Sequence, residues 1–133
     1  MSELACRPAT PEDLVFVKDS WFESYRRGGR SPEVRFDVYA AGMRALIERL
    51  VKETPVQVAY VPGVDDEVLA WVCRTDATLH YVYVKQVYRK RGLAAALVAL
   101  PPIERYTFET VPGKKMMQRR GAKYDPFELM VAK

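Results

Sequence analysis

The spacing of apolar positions changes period several times along the chain, and each change marks an element boundary. Leu4, Cys6 and Pro8 alternate as in a short first strand. Thr10-Pro11-Glu12-Asp13 then has the form of a helix start: a Thr cap, Pro at the first helical position and acids in the first turn. Leu14, Val17, Trp21 and Tyr25 follow at helical spacing, and Arg26-Arg27-Gly28-Gly29-Arg30 breaks that helix. Ser31-Pro32-Glu33 opens a second helix by the same logic. Its apolar positions include Val34, Val38, Ala41 and Ala45, with Leu46 and Leu50 on the adjoining face, and it ends near Lys52, before Thr54-Pro55.

From there the period drops to two. A strand over 56–61, a turn at Pro62-Gly63-Val64-Asp65-Asp66 and a strand over 67–74 form a hairpin. Thr75-Asp76-Ala77 turns the chain again into a third strand over 78–85, rich in Tyr and Val. A basic loop leads to a short helix over about 92–100, stopped by Pro101-Pro102 because proline cannot donate to the helix ladder. A strand over 105–110, a helix over 113–120 ended by Gly121, and a last strand over 127–131 complete the pattern. The order β, α, α, β, β, β, α, β, α, β predicts a mixed, mostly antiparallel α/β (α+β) sheet flanked by about four helices. With 133 residues, no internal repeat and no linker, the expectation is one domain over 1–133.

Composition adds limits. Nearly half the residues (49%) are apolar, enough for a buried core, and 29% are charged, as on an ordinary aqueous surface. No apolar run approaches the roughly 20 residues that span a bilayer. The first seven residues lack a basic segment followed by an apolar one, so neither a signal peptide nor a membrane partner is expected, and the predicted location is cytoplasmic. Cys6 and Cys73 sit in strand-like settings and read as buried free thiols of a reducing compartment. One His and two distant Cys do not make an ordinary zinc site, so no metal is expected. The net charge of +4 and pI of about 9.1 suit a phosphate-bearing partner, and coenzyme A and nucleic acid both qualify.

The most informative segment is the junction between the third hairpin strand and the short helix. A helix N-terminus offers unpaired backbone N–H groups and the positive end of the dipole. Gly92 lets the backbone approach an anion, Ala94, Ala95 and Ala96 leave space over the first turn, and Lys85, Arg89, Lys90 and Arg91 add positive charge. The loop is built to hold a pyrophosphate-like group.

Residues 84–94, Val84-Lys85-Gln86-Val87-Tyr88-Arg89-Lys90-Arg91-Gly92-Leu93-Ala94, resemble motif A of the GNAT (GCN5-related N-acetyltransferase) superfamily. Arg89, Gly92 and Ala94 fill the three defining places of its Arg/Gln-x-x-Gly-x-Gly/Ala pattern. The element order of the whole chain is similar too. The resemblance implies that Arg89, Lys90, Arg91, Gly92, Leu93 and Ala94 bind the pyrophosphate of acetyl-CoA, or coenzyme A. It implies that Val82, Tyr83 and Val84 pair through their backbone with the pantetheine arm. It further implies an N-acyltransferase acting on a primary amine, borne by a small molecule, a protein or a nucleic-acid base; a second copy of the chain is a further candidate partner. Arg7-Pro8-Ala9-Thr10, residues 20–26 and residues 79–84 are, more loosely, similar to short GNAT-like proteins of phages.

The chain also departs from the family pattern. Met117 stands where many members carry a Tyr that protonates the departing thiolate, and a thioether cannot donate a proton. Tyr81 stands where many carry a Glu base, and Phe108-Glu109-Thr110 replaces a motif that often ends in Asn. The remaining catalytic candidates are Tyr81, Tyr83, His80 and Glu109. Strand alternation puts Tyr81 and Tyr83 on one face, towards an acceptor cleft, and His80 with Val82 and Val84 on the other, core face. His80 alone has a reference pKa near neutrality. Trp21, Tyr25 and Arg26 of the first helix are candidates to cap the cleft over the substrate. The cluster Lys114, Lys115, Arg119, Arg120 and Lys123 reads as a solvated helix face, or as a contact to the 3'-phosphate of CoA or to nucleic acid. Loss of both the usual acid and the usual base leaves two alternatives open: a non-catalytic CoA- or partner-binding protein, and a phage-type modifier of nucleic-acid bases.

Overall fold

The computed structural model describes residues 4–28, 34–63, 67–99 and 101–130. Six strands, β1 (Ala5–Pro8), β2 (Val56–Tyr60), β3 (Val68–Arg74), β4 (Thr78–Val84), β5 (Arg105–Tyr106) and β6 (Lys123–Tyr124), lie side by side in sequence order. The first four are antiparallel; β5 runs parallel to β4, and β6 parallel to β5. Four helices complete the fold: α1 (Pro11–Gly28), α2 (Phe36–Glu53), α3 (Leu93–Ala99) and α4 (Val111–Arg119). The predicted mixed sheet with four helices is the observed one.

The period of two sorts the sheet's side chains onto two faces. Val56 and Val58 of β2, Trp71 and Cys73 of β3, and Tyr81 of β4 pack with Val17, Trp21, Ile47 and Leu50 of α1 and α2. The alternate residues Ala59, Ala70, Val72, Val82 and Val84 meet α3 and α4 through Leu93, Leu97, Val98 and Met117. Trp21 is the hub of the first face: it stacks on Tyr81 (5.3 Å between ring centroids) and contacts Trp71 and Phe108. Such ring pairs add about 0.5–1.5 kcal/mol each beyond burial. The Trp71 indole N–H donates to Ser20 Oγ at 2.8 Å, which in turn donates to the Phe16 carbonyl, so this buried polar pair is satisfied.

Several expectations need correction. On α2 the buried stripe is Tyr39, Ala40, Met43, Ile47 and Leu50. Val38, Ala41 and Ala45 are exposed. An all-round scatter of apolar residues supports two phases, and Tyr39, whose hydroxyl donates to the Phe22 carbonyl (2.7 Å), fixes which one faces α1. Ser31-Pro32-Glu33 lies outside the described residues. The predicted last strand over 127–131 is a 3-10 turn at Pro126–Met130, and the strand is instead β6. Pro126 has no N–H to give a ladder, and Glu128 turns outward to Arg105 at 3.2 Å. Helix α4 begins before Gly113 because Thr110 caps it, its Oγ1 accepting from the Gly113 N–H. Both cysteines are free, but Cys6, on the edge strand, is exposed.

The start of α1 follows the sequence closely. Thr10 Oγ1 accepts from the Asp13 N–H (3.2 Å), and an Asp13 carboxylate oxygen accepts from the Thr10 N–H (2.8 Å) and from Arg7. This is a reciprocal capping box. The Arg7 hydrogen bond is the main reason why the Asp13 carboxyl is held below its ordinary range. Asp13→Asn is therefore expected to cost about 1 kcal/mol at neutral pH. A carboxyl with a depressed folded pKa stabilises above its unfolded value and loses that contribution as pH falls through the folded one. The gap between wild type and variant in urea denaturation is thus expected to narrow as the pH falls below the ordinary carboxylate range.

Candidate functional site

Strand β4 departs from regular pairing in two ways. Opposite β3, Cys73 pairs with Tyr81 but Arg74 pairs with Leu79, so His80 is the extra residue of a β-bulge. On its other side, pairing with β5 is confined to Thr78–Arg105 and Leu79–Tyr106, closed by the Thr107 N–H donating to the Leu79 carbonyl at 3.0 Å. Beyond the bulge no strand among the described residues covers that edge. The Lys85 N–H donates to the Leu69 carbonyl, which fixes Tyr81, Tyr83 and Lys85 as the residues bonded to β3. Val82 and Val84 then turn their N–H and C=O groups towards the uncovered edge. The result is a wedge that opens from Leu79 towards residue 85.

The basic loop lies at the wide end. A 3-10 turn at Gln86–Tyr88 leads to Arg89, and the chain then takes positive φ at Lys90 (66°) and Gly92 (79°) before α3 begins. A non-glycine residue in this region is uncommon and marks a constrained turn. A Cβ built on Gly92 meets nothing within 4 Å, so open space lies in front of it. The first bond of the helix closes between the Ala96 N–H and the Gly92 carbonyl (3.0 Å), which leaves the N–H groups of residues 93–95 without an intrahelical acceptor.

The four basic side chains of this segment act differently. Arg89 folds inward and donates through Nε to the Val84 carbonyl (2.9 Å), with its guanidinium over the Tyr83 ring. Lys85 pairs with Glu67 at 3.1 Å. Lys90 and Arg91 are exposed and make no ion pair among the described residues; Arg91 lies over the Tyr88 ring. Leu93 and Ala94 pack on Ala59, Ala70 and Val84, so they seat the helix against the sheet.

The proposed catalytic and substrate residues gather around β4 on two sides. Tyr81 is buried, its hydroxyl 2.8 Å from Ser24 Oγ. Burial pushes this phenol up to about 12, with the Ser24 hydrogen bond acting the other way, so it keeps its proton at neutral pH. Tyr83 is half-buried between Phe16 and Trp71. His80 is buried, with Nδ1 2.7 Å from Thr107 Oγ1. Trp21 has no exposed surface, so it shapes the site only by supporting Tyr81. Tyr25 meets Tyr81 and Phe108 edge-on. Arg26 lies over Tyr39 and Phe36 and donates to the Val34 carbonyl, so its charge is committed to the α1–α2 junction. Glu109 and Met117 are buried. The bulge and the wedge were missed from sequence, because both are properties of strand register.

Two surface depressions of about 430 and 450 Å³ lie elsewhere, one between α1 and α2 and one beside residues 51–57. Neither touches the wedge, which is an open cleft and not an enclosed cavity. Among the described residues no group of His, Cys, Asp or Glu could hold a metal ion, and no helix is long and apolar enough to cross a membrane.

The architecture is the GNAT fold. The structure of a protein assigned as an acetyl transferase from Pyrococcus furiosus superposes with a TM-score of 0.55 at 20% identity, covering 92% of this chain and 80% of that one. A protein assigned to the GNAT family from Desulfovibrio desulfuricans gives 0.54 at 19% identity, over 90% and 84% of the two chains. A GCN5-related N-acetyltransferase from Rhodopseudomonas palustris gives 0.51 at 20% identity, over 92% and 70%. No family model matches the sequence, and no curated relative does. The likeness to short phage proteins draws no support from these neighbours.

The geometry at Gly92 makes a measurable demand. A residue with a Cβ at positive φ costs roughly 1–2 kcal/mol even where nothing clashes. Gly92→Ala is expected to lower the unfolding free energy by that amount, read as a lower urea midpoint at an unchanged slope of the transition.

Proposed function

We propose that residues 1–133 form one acyltransferase domain that moves an acyl group, acetyl in the simplest case, from acyl-CoA to a primary amine by direct attack. The observation that carries this reading is the wedge beside β4, where Val82 and the Val84 N–H face an edge that no strand among the described residues covers, with a positive-φ basic loop at its mouth. Its chemistry fits a pantetheine arm ending in a pyrophosphate. Val82 and Val84 would hold the arm by main-chain hydrogen bonds, and residues 89–94 would hold the phosphates through first-turn amides, Lys90 and Arg91. Arg89 serves by bracing the loop against Val84. Acyl-CoA bound there supplies a thioester carbonyl to an attacking amine and leaves as a thiol.

The chain's own residues would then position and protonate. Fixing the donor along β4 lowers the barrier through proximity and orientation. The Tyr83 phenol, half-buried beside the Arg89 guanidinium, is suited to give a proton to the departing sulfur. Tyr81 keeps its proton and is tied to Ser24, which suits it to order the acceptor side. His80 holds Thr107 at the apex of the wedge and serves its shape.

One observation favours a second reading, CoA binding without turnover. Met117, in the place of the family's usual acid, is sealed in the core and leaves no proton donor on α4 at that position. Binding of CoA with no thiol release across a broad panel of amines would establish that reading.

Two tests address the leading one. CoA at 100 times its Kd is expected to stabilise the fold by about 2.7 kcal/mol, and Gly92→Glu, which puts an anion in the open space before the loop, is expected to abolish the shift. No rise in Tm with millimolar CoA would remove the basis of the proposal. Tyr83→Phe is expected to lower kcat about tenfold or more with CoA affinity unchanged. His80→Ala is expected mainly to lower stability; loss of activity from a stable His80→Ala protein with Tyr83→Phe fully active would make His80 the acid–base group.

A further inference from the structure

The charge of this chain is partitioned. Residues 85–124 contain ten Lys and Arg against two acids, a net +8. The whole chain carries +4, so the remainder carries −4. Of the two acids in the segment, Glu109 is buried, which leaves Glu104 as the one on the surface. Part of this excess belongs to the loop already described. Arg105 pairs with Glu128 at 3.2 Å, and the other five cations form a separate patch: Lys114, Lys115, Arg119, Arg120 and Lys123.

These residues belong to one surface. Lys115 and Arg119 are one turn apart on α4, on the side opposite the buried Met117. Arg120 follows the helix and approaches the Ala95 carbonyl of α3 at 3.5 Å. Lys123 lies on β6, the edge strand next to them. None of the five has an ion pair among the described residues, whereas cations of α1 and α2 such as Lys18, Arg27 and Arg49 each have an acidic partner. Unbalanced like charges at i, i+4 destabilise a helix by a few tenths of a kcal/mol, so the patch works against the fold unless an anion meets it.

The surroundings define that anion. No large apolar side chain is exposed on α3 or α4 among the described residues. A membrane-surface helix needs such residues beside its cations. Cations one helical turn apart on a polar face suit a regular row of phosphates. We infer that the outer face of α4, continued by Arg120 and Lys123, docks the phosphodiester backbone of a nucleic acid. None of these five residues lies in the loop at 89–94, so the inference does not depend on acyl transfer.

Fluorescence anisotropy of a labelled DNA duplex, titrated at several salt concentrations, tests it. Neutralising four phosphates predicts a slope of log K against log salt of about −3.6, from roughly −0.9 per contact. The triple variant Lys115→Glu, Arg119→Glu, Lys123→Glu is expected to bind at least about tenfold more weakly at low salt and to flatten the slope, with circular dichroism unchanged. If that variant does not fold, Lys115→Gln with Arg119→Gln is expected to lose about two contacts' worth of slope. The inference is overturned by absence of duplex binding at low salt, or by variants that bind as wild type does. It is equally overturned if the variants lose CoA affinity but keep the duplex, which would assign the patch to a nucleotide phosphate. Tighter binding to phosphatidylserine vesicles than to the duplex would assign it to a membrane.

Discussion

Beyond Leu79 no strand among the described residues pairs with the outer edge of β4, and much of the molecule is arranged to keep it so. Unpaired main-chain groups at the interior of a sheet are costly, and neighbouring strands ordinarily close over them. Here they cannot. Phe108, two residues past β5, packs into the aromatic cluster of Trp21, Tyr25 and Tyr81, and among the described residues the chain makes no further strand pairing with β4. The bulge at His80 takes up the change in twist, and the His80–Thr107 hydrogen bond fixes the point where the strands part. Meanwhile β4 itself is gripped on both faces, by Trp71 and Trp21 below Tyr81 and by α3 above Val84. A rigid strand with a spare edge is what an extended ligand needs, and the aromatic core is what keeps that edge spare.

Much of this could be read from the sequence, but not evenly. The hairpin of β2 and β3 and the strand after it were legible because short runs of Val, Ala, Tyr and Trp are set off by the turn residues Pro62-Gly63 and Thr75-Asp76, although β3 and β4 are covered on both faces. The capping residues Thr10 and Asp13 were legible because a cap is local chemistry. The face of α2 was not, since apolar residues surround that helix and only the contact with Phe22 and α1 selects Tyr39 and Met43 over Val38 and Ala41. The β-bulge was invisible for a stricter reason: register is a relation between two strands, and no residue of β4 announces which partner it will face. Helical spacing left Trp21 and Tyr25 either as core residues or as a cap over the cleft, and the packing of Trp21 against Tyr81, Trp71 and Phe108 selects the core for it.

The loop shows the same limit in electrostatic terms. Four cations in seven residues read as one concentrated positive charge. In the fold, Lys85 is matched by Glu67, brought beside it by the β3–β4 pairing, and Arg89 is used to hold the Val84 carbonyl. What the loop keeps without an ion pair among the described residues is therefore two exposed cations, beside a set of backbone amides in a turn with positive φ on either side of Arg91. Amides in such a turn are fixed dipoles; they cannot swing away as a lysine can. Anion selection at this site would then rest more on the shape of residues 90–94 than on their charge. The charge the loop does not use lies on α4, about an element away in sequence and on the same side of the sheet, where no acid among the described residues pairs with it.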